Sequence, residues 1–152
     1  MSLGQQKAQM MRVWPLLDSR VEGGQLVVTG TVKPTPITRS YRVRVTLNDF
    51  GTPRVYVLSP ILERRVQEPD VPIPHTYEYA TPGKEQPCLY HPKSAEWLPS
   101  MPLALSIMPW LLSWLLDYEY WHATGEWIGG GVPHGSTKVR DDSPSRAVDD
   151  RA

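Results

Sequence analysis

The chain has 152 residues, with sixteen Lys plus Arg against sixteen Asp plus Glu and a formal net charge of zero. That balance excludes broad electrostatic capture of nucleic acid or of an anionic membrane, and the length corresponds to one domain able to bury a core. The single cysteine excludes an intrachain disulfide framework and fits a reducing compartment.

The N-terminal stretch carries no apolar signal-peptide core, so a cytoplasmic location is expected. Residues 3 to about 20 predict a first helix, ended or kinked by Pro15. Ala8, Met11 and Leu3 are placed on its apolar side, with Gln5, Gln6, Lys7 and Arg12 opposite. Glu22-Gly23-Gly24 reads as a turn. Leu26 to Val32 is rich in β-branched residues and predicts a strand. Tyr41 to Leu47 alternates cleanly, with Tyr41, Val43, Val45 and Leu47 facing one way and Arg42, Arg44 and Thr46 the other, so it predicts a half-buried strand. After a turn at Asn48 to Gly51, Pro53 to Leu58 predicts a third. Three strands joined by short turns make an antiparallel meander.

From Pro60 to Pro87 the chain is proline-rich and reads as a long surface loop, with a short strand near Thr76 to Tyr79. Long ordered loops are uncommon unless they do something. Pro99 to Pro109 is a second irregular connection. A helix then starts near Pro109, where a first-turn proline is tolerated, and runs to about Thr124. The run from Met101 to Leu116 holds no charge, but it is shorter than the roughly 20 residues that a bilayer core requires and two prolines interrupt it, so a buried helix is expected and no membrane span. The domain is expected to cover residues 1–134, and the polar stretch 135–152 to be a disordered tail.

The stretch from Pro87 to Trp127 gathers the one cysteine, Cys88, and five of the six tryptophans. A free cysteine is usually a small buried hydrophobe. Against that, Cys88 ends a polar loop, and His75 and His91 lie close in sequence, where an imidazole could favour the nucleophilic thiolate. His75 reads either as a surface-loop histidine or as an organiser of that loop or donor to an oxyanion. His91 reads either as a general base or as part of a turn with Pro92. The histidines and the cysteine show no HxxxH or CxxC spacing, and Gly129-Gly-Gly131 does not continue as a phosphate loop, so neither metal nor cofactor is expected. On a single-sided helix Trp110, Trp114 and Trp121 are not expected to share one core, and an exposed tryptophan would anchor a partner.

These segments resemble the ubiquitin-conjugating enzymes: Pro53-Arg-Val-Tyr-Val-Leu-Ser-Pro60, His75 at the place of the His-Pro-Asn histidine, Cys88-Leu89 as the active-site cysteine, and Trp97-Leu-Pro99 beyond it. The closer likeness is to the short bacterial conjugating-enzyme-like proteins of type II-short CBASS anti-phage operons. His75-x-Tyr77, Pro87-Cys-Leu-Tyr-His-Pro92, Glu96-Trp97 and Pro109-Trp110 through Trp127 carry it, over about residues 5 to 134. The resemblance implies an α/β (α+β) fold with an N-terminal helix, an antiparallel meander, an active-site loop and a long Trp-rich C-terminal helix.

It also implies an acyl carrier. Cys88 would hold the C-terminus of a cGAS/DncV-like nucleotidyltransferase, the operon's cyclic-nucleotide synthase, as a thioester and pass it to a lysine amine on a target. No direct contact with nucleic acid or membrane is implied. The asparagine of the eukaryotic motif is absent, since Thr76-Tyr77 follow His75. The loss of one oxyanion donor costs about 3 kcal/mol of barrier in known cases. The substitutes to consider are the Tyr77 hydroxyl, His75 itself and backbone N–H groups near Cys88. Two other readings remain open: a binding module on the same fold with an inert Cys88, and a cysteine hydrolase using His91 or His75.

Overall fold

The computed structural model describes residues 1–77, 85–90 and 96–129. Helix α1 spans Leu3–Val13 and is followed by strands β1 (Asp18–Glu22), β2 (Gln25–Val32), β3 (Tyr41–Asn48) and β4 (Pro53–Ser59). Two short strands, β5 (Thr76–Tyr77) and β6 (Gln86–Pro87), precede a 3-10 turn at Leu103–Leu105 and helix α2 (Ile107–Thr124). The class is mixed α+β, with the expected N-terminal helix, antiparallel sheet and C-terminal helix. The expected tail at 135–152 lies outside the described residues.

Helix α1 starts on a capping box. The Ser2 hydroxyl accepts from the Gln5 N–H, and the Gln5 side chain accepts from the Ser2 N–H. The helix ends at Val13 because Pro15 cannot continue it, and residues 18–22 turn into an edge strand rather than a second half of the helix. The predicted apolar side is corrected as well. Gln6 and Met10 are the fully buried residues, Leu3 is half-buried, and Met11 is exposed. Gln6 can be buried because all of its polar atoms are used. Its amide nitrogen donates to the carbonyls of Met101 (3.0 Å) and Pro99 (3.4 Å), and its oxygen accepts from the Leu103 N–H at 2.8 Å. Sequence periodicity weighs glutamine as polar and cannot see three orphan backbone groups waiting across the interface.

The main sheet is a four-stranded antiparallel meander in the order β1-β2-β3-β4, one strand more than expected. Gly23 and Gly24 both take positive φ, 59° and 76°, and close the β1–β2 hairpin. On the inner face Leu26 pairs with Leu47, and Val45 with both Val28 and Val55. Gly30 faces Val43 there, and a Cβ on it would stand 2.5 Å from the Leu17 side chain. The outer face carries Arg42, Arg44 and Arg54, all exposed.

Helix α2 matches its expected span within two residues at the start. Pro109 sits in the first turn, where its missing N–H has no helical acceptor anyway, and Gly125 ends the helix in the left-handed region with φ 88°. Ile107, Met108, Leu111, Trp114, Leu115, Tyr118 and Trp121 form one buried stripe. Positions 114 and 121 are seven residues apart, so they lie within about 20° of each other around the axis. Both tryptophans therefore enter the same core, at 5% and 3% exposure, and Trp110 is half-buried. Among the described residues no tryptophan is exposed, and Trp14, Trp110 and Trp127 are half-buried.

The passage from Pro60 onward runs largely over the surface, as expected, but is pinned to α2 at several points. Leu62 and Ile73 are buried in the core. The Tyr118 hydroxyl accepts from the Glu63 N–H at 2.8 Å, and the Arg65 guanidinium donates to the His122 carbonyl at 3.1 Å. Glu119, also on α2, accepts from the Tyr41 hydroxyl at 2.6 Å and from the Arg39 N–H at 3.0 Å, tying the helix to the start of β3. No helix among the described residues is long and apolar enough to cross a membrane.

Replacing Gln6 tests the account of α1. Gln6→Leu keeps the volume but orphans the Leu103 N–H and the Met101 carbonyl, and we expect a loss of about 1–3 kcal/mol in denaturant unfolding. A variant as stable as the parent would show that those groups find other partners.

Candidate active site

The site is built on the shortest ladder among the described residues. β5 and β6 pair antiparallel, Thr76 with Pro87 and Tyr77 with Gln86. One step further along the same register, the Cys88 N–H donates to the His75 carbonyl at 2.8 Å. That carbonyl accepts a second bond, from the indole Nε1–H of Trp114 on α2, at 3.0 Å. His75 adopts φ 54°, a left-handed conformation in which histidine is enriched among non-glycine residues. The Thr76 hydroxyl closes the turn by donating to the Ile73 carbonyl at 2.8 Å.

His75 is buried, not a surface-loop residue. Its ring lies against Trp127, with centroids 5.0 Å apart, and Trp127 in turn meets Trp114 at 5.4 Å. The aromatic set behind the cysteine continues along α2, where Trp114 stacks on Tyr118 at 5.7 Å. The tryptophans flagged in the sequence thus serve as the wall that sets the position of His75. Their indole N–H groups also fix loops: Trp14 donates to the Ala104 carbonyl and Trp97 to the Ser106 hydroxyl. A buried tryptophan usually finds an acceptor for that N–H, and among the described residues Trp127 is the exception, its Nε1–H buried without one.

Cys88 is 7% exposed. Its Sγ–H donates to the Tyr90 carbonyl at 3.3 Å, and the Tyr77 phenol is hydrogen-bonded to the same sulfur. Burial pushes the thiol above its ordinary range, the Tyr77 bond works against that, and the charge of Glu96 adds to it. Burial and the bond to Cys88 push Tyr77 well above the usual phenol range, so it stays protonated and able to donate. Of the predicted site residues, then, Cys88, His75 and Tyr77 come together. His91 lies outside the described residues. Among the described residues no group of three or more His, Cys, Asp or Glu side chains gathers in a way that could hold a metal ion.

A cleft of about 300 Å³ opens beside this ladder. Tyr77, Pro87, Leu89 and Tyr90 form one wall, and Pro53, Arg54 and Val55 of β4 form the other. Tyr90 and Arg54 escaped the sequence reading. Tyr90 follows Cys88 by two residues, a spacing that marks it as a neighbour only once the local backbone is known to be extended. Arg54 is 34 residues away and becomes a neighbour only through the sheet.

The bond between Tyr77 and the sulfur gives a pH prediction. Alkylation of Cys88 by iodoacetamide follows the thiolate fraction, so its rate climbs with pH through and beyond the ordinary thiol range. Tyr77→Phe removes the bond that lowers the thiol pKa. We expect its profile to move further to high pH, with slower alkylation below the new midpoint, by about tenfold for each unit moved at pH values well below both midpoints. An unmoved profile would show that the phenol does not stabilise the thiolate.

No curated protein matches the chain. The profile of one family does, described as Type II CBASS E2 protein, and the match runs over residues 6–135. It spans the sheet, the β5–β6 ladder with Cys88, and all of α2. The chain therefore belongs to the Type II CBASS E2 protein family, and is an E2-like protein of the CBASS type.

Proposed function

We propose that this protein has the ubiquitin-conjugating fold and acts as a cysteine acyl carrier, holding the C-terminus of the CBASS cyclic-nucleotide synthase as a thioester on Cys88. The observation that carries this reading is the placement of Cys88. Its backbone is locked to His75, a neutral phenol lies on its sulfur, and its immediate neighbours form the wall of an open cleft. The family supports an association with the synthase of the operon.

The chemistry runs in two balanced steps. The Cys88 thiolate attacks the carbonyl carbon of an activated C-terminus, such as an acyl-adenylate or a thioester. A new S–C bond forms, the bond to the activating group breaks, and that group leaves with the electron pair. A lysine amine of the target then attacks the thioester carbonyl. The C–N bond forms, the C–S bond breaks, thiolate is returned, and the amine proton passes to solvent. In both steps a negative oxygen develops on the carbonyl, and the Tyr77 O–H stands beside the sulfur where it can donate to that oxygen. His75 positions the cysteine through its main chain. A reducing cytoplasm keeps the one thiol free for this cycle.

A second reading has an observation in its favour. The Cys88 thiol is buried and its pKa raised, as suits a binding module that docks the synthase with an inert cysteine. Co-expression with the synthase separates the two. In the carrier reading, intact-mass analysis finds an adduct that hydroxylamine or thiol cleaves. Cys88→Ala abolishes it, and Cys88→Ser traps a more stable ester in its place. A complex that forms equally well with Cys88→Ala and never carries an adduct would establish the docking role instead.

A further inference from the structure

The outer face of the main sheet is unevenly charged. On β3, Arg42 and Arg44 stand two residues apart on that face, about 7 Å along the strand. Across to β4, Tyr56 lies opposite Arg44 and Arg54 opposite Thr46, so Arg54 is the diagonal neighbour of Arg44. All three arginines are exposed, and none forms an ion pair with a carboxylate among the described residues. The acids of this face, Asp18 and Glu22, are on β1 at the far edge and flank Arg20. Asp18, Thr29 and Arg44 stand in one row across three strands, so Asp18 and Arg44 are two strand spacings, about 10 Å, apart. That is about one Debye length at 0.1 M salt, so the acids of β1 do little to neutralise the arginines of β3 and β4.

Like charges held this close repel one another, and the fold gains nothing from the cluster. The surroundings narrow what it can bind. The arginines line a broad polar concavity of about 1170 Å³. A small-molecule site encloses its ligand in a mostly apolar pocket, which this open surface does not do. A single-stranded nucleic acid stacks its bases on several aromatic rings, and Tyr56 is the one aromatic residue that lines the concavity among the described residues. Its phosphates would also meet Asp18 and Glu22 on β1. An acidic protein surface fits both halves. Its carboxylates take planar, bidentate bonds from the guanidiniums, while neutral or basic groups beside them lie over β1. Arg54 borders the cleft beside Cys88 as well, so a body seated on the arginines reaches the mouth of that cleft.

We infer that the β3–β4 half of the outer face is a docking surface for an acidic patch on the folded body of the synthase, with Arg42 and Arg44 as its specificity-determining residues. This rests on the association with the synthase that the family supports. It adds the place and the chemistry of the contact, and it does not depend on the thioester.

The test uses the purified synthase of the same operon and the full-length protein carrying Cys88→Ala, so that no covalent adduct contributes. Binding is followed by biolayer interferometry. We expect affinity to fall as salt is raised, and Arg42→Glu combined with Arg44→Glu to weaken it by about thirtyfold. Arg12→Glu, a charge reversal at an exposed position on α1, should change it by less than about twofold. Circular dichroism checks that each variant is folded. In Arg44→Lys a carbodiimide can join the amine at position 44 to a carboxylate in contact with it. Mass spectrometry should then find position 44 linked to an Asp or Glu of the synthase outside its C-terminal segment. Salt-insensitive binding, affinity unchanged by the double reversal, no binding, or a link only to the C-terminal segment would overturn the proposal. So would a single-stranded oligothymidylate that binds more tightly than the synthase through the same arginines. Loading of wild-type Cys88 by the last residues of the synthase, supplied as a peptide alkyl thioester, is read separately by intact mass. Arginine-dependent docking without loading would retain the surface and remove the carrier chemistry. Loading with docking indifferent to the arginines would do the reverse.

Discussion

The main-chain carbonyl of His75 receives two hydrogen bonds from two different elements, and the geometry of the site depends on both. One comes from the Cys88 N–H and extends the β5–β6 register by a step. The other comes from the Trp114 indole in the middle of α2. A carbonyl oxygen has two lone pairs, so both bonds can be satisfied at once. The left-handed backbone of His75 is what turns that carbonyl toward them. Such a conformation costs of order 1–3 kcal/mol in a non-glycine residue and persists only where the surroundings over-determine it. Here they do, through the Thr76 hydroxyl, the Trp127 ring and the two bonds themselves.

The rest of the fold can be understood as support for that junction. The meander supplies an apolar inner face, and α2 covers it with a single stripe of large side chains. On the same helix Tyr118 and His122 hold the segment after β4, through Glu63 and Arg65, and Glu119 holds the start of β3. The helix thereby registers the sheet, the proline-rich passage and the cysteine loop against one another. A shift of α2 along its axis would break the Trp114 bond and these ties together, so the position of the sulfur is coupled to the packing of the core.

Much of this was legible in the sequence, for identifiable reasons. Strict alternation in β3, β-branched residues in β2 and the first-turn proline of α2 are local signals, and local backbone preference decided those elements. The block around Cys88 and the tryptophans of α2 carried the family resemblance, which the profile match supports. What failed did so where a long-range partner outweighs local pattern. β1 is a charged edge strand with little alternation, visible only as the partner of β2. Gln6 is buried because residues 99 to 103 present unpaired backbone groups to it. Trp114 and Trp121 share a core because the helix turns them to the same side.

The sequence by itself determined the α+β class, the identity of the cysteine and the helix behind it, because those follow from residue type and short-range spacing. Only the tertiary structure decided which groups touch the sulfur, that its thiol is buried with a raised pKa, and that Arg54 from a distant strand borders the same cleft. The reason is physical. Burial, hydrogen-bond geometry and the field around an ionisable group are set by whatever the folded chain brings within a few ångströms, and nothing in the order of residues along the chain states those distances.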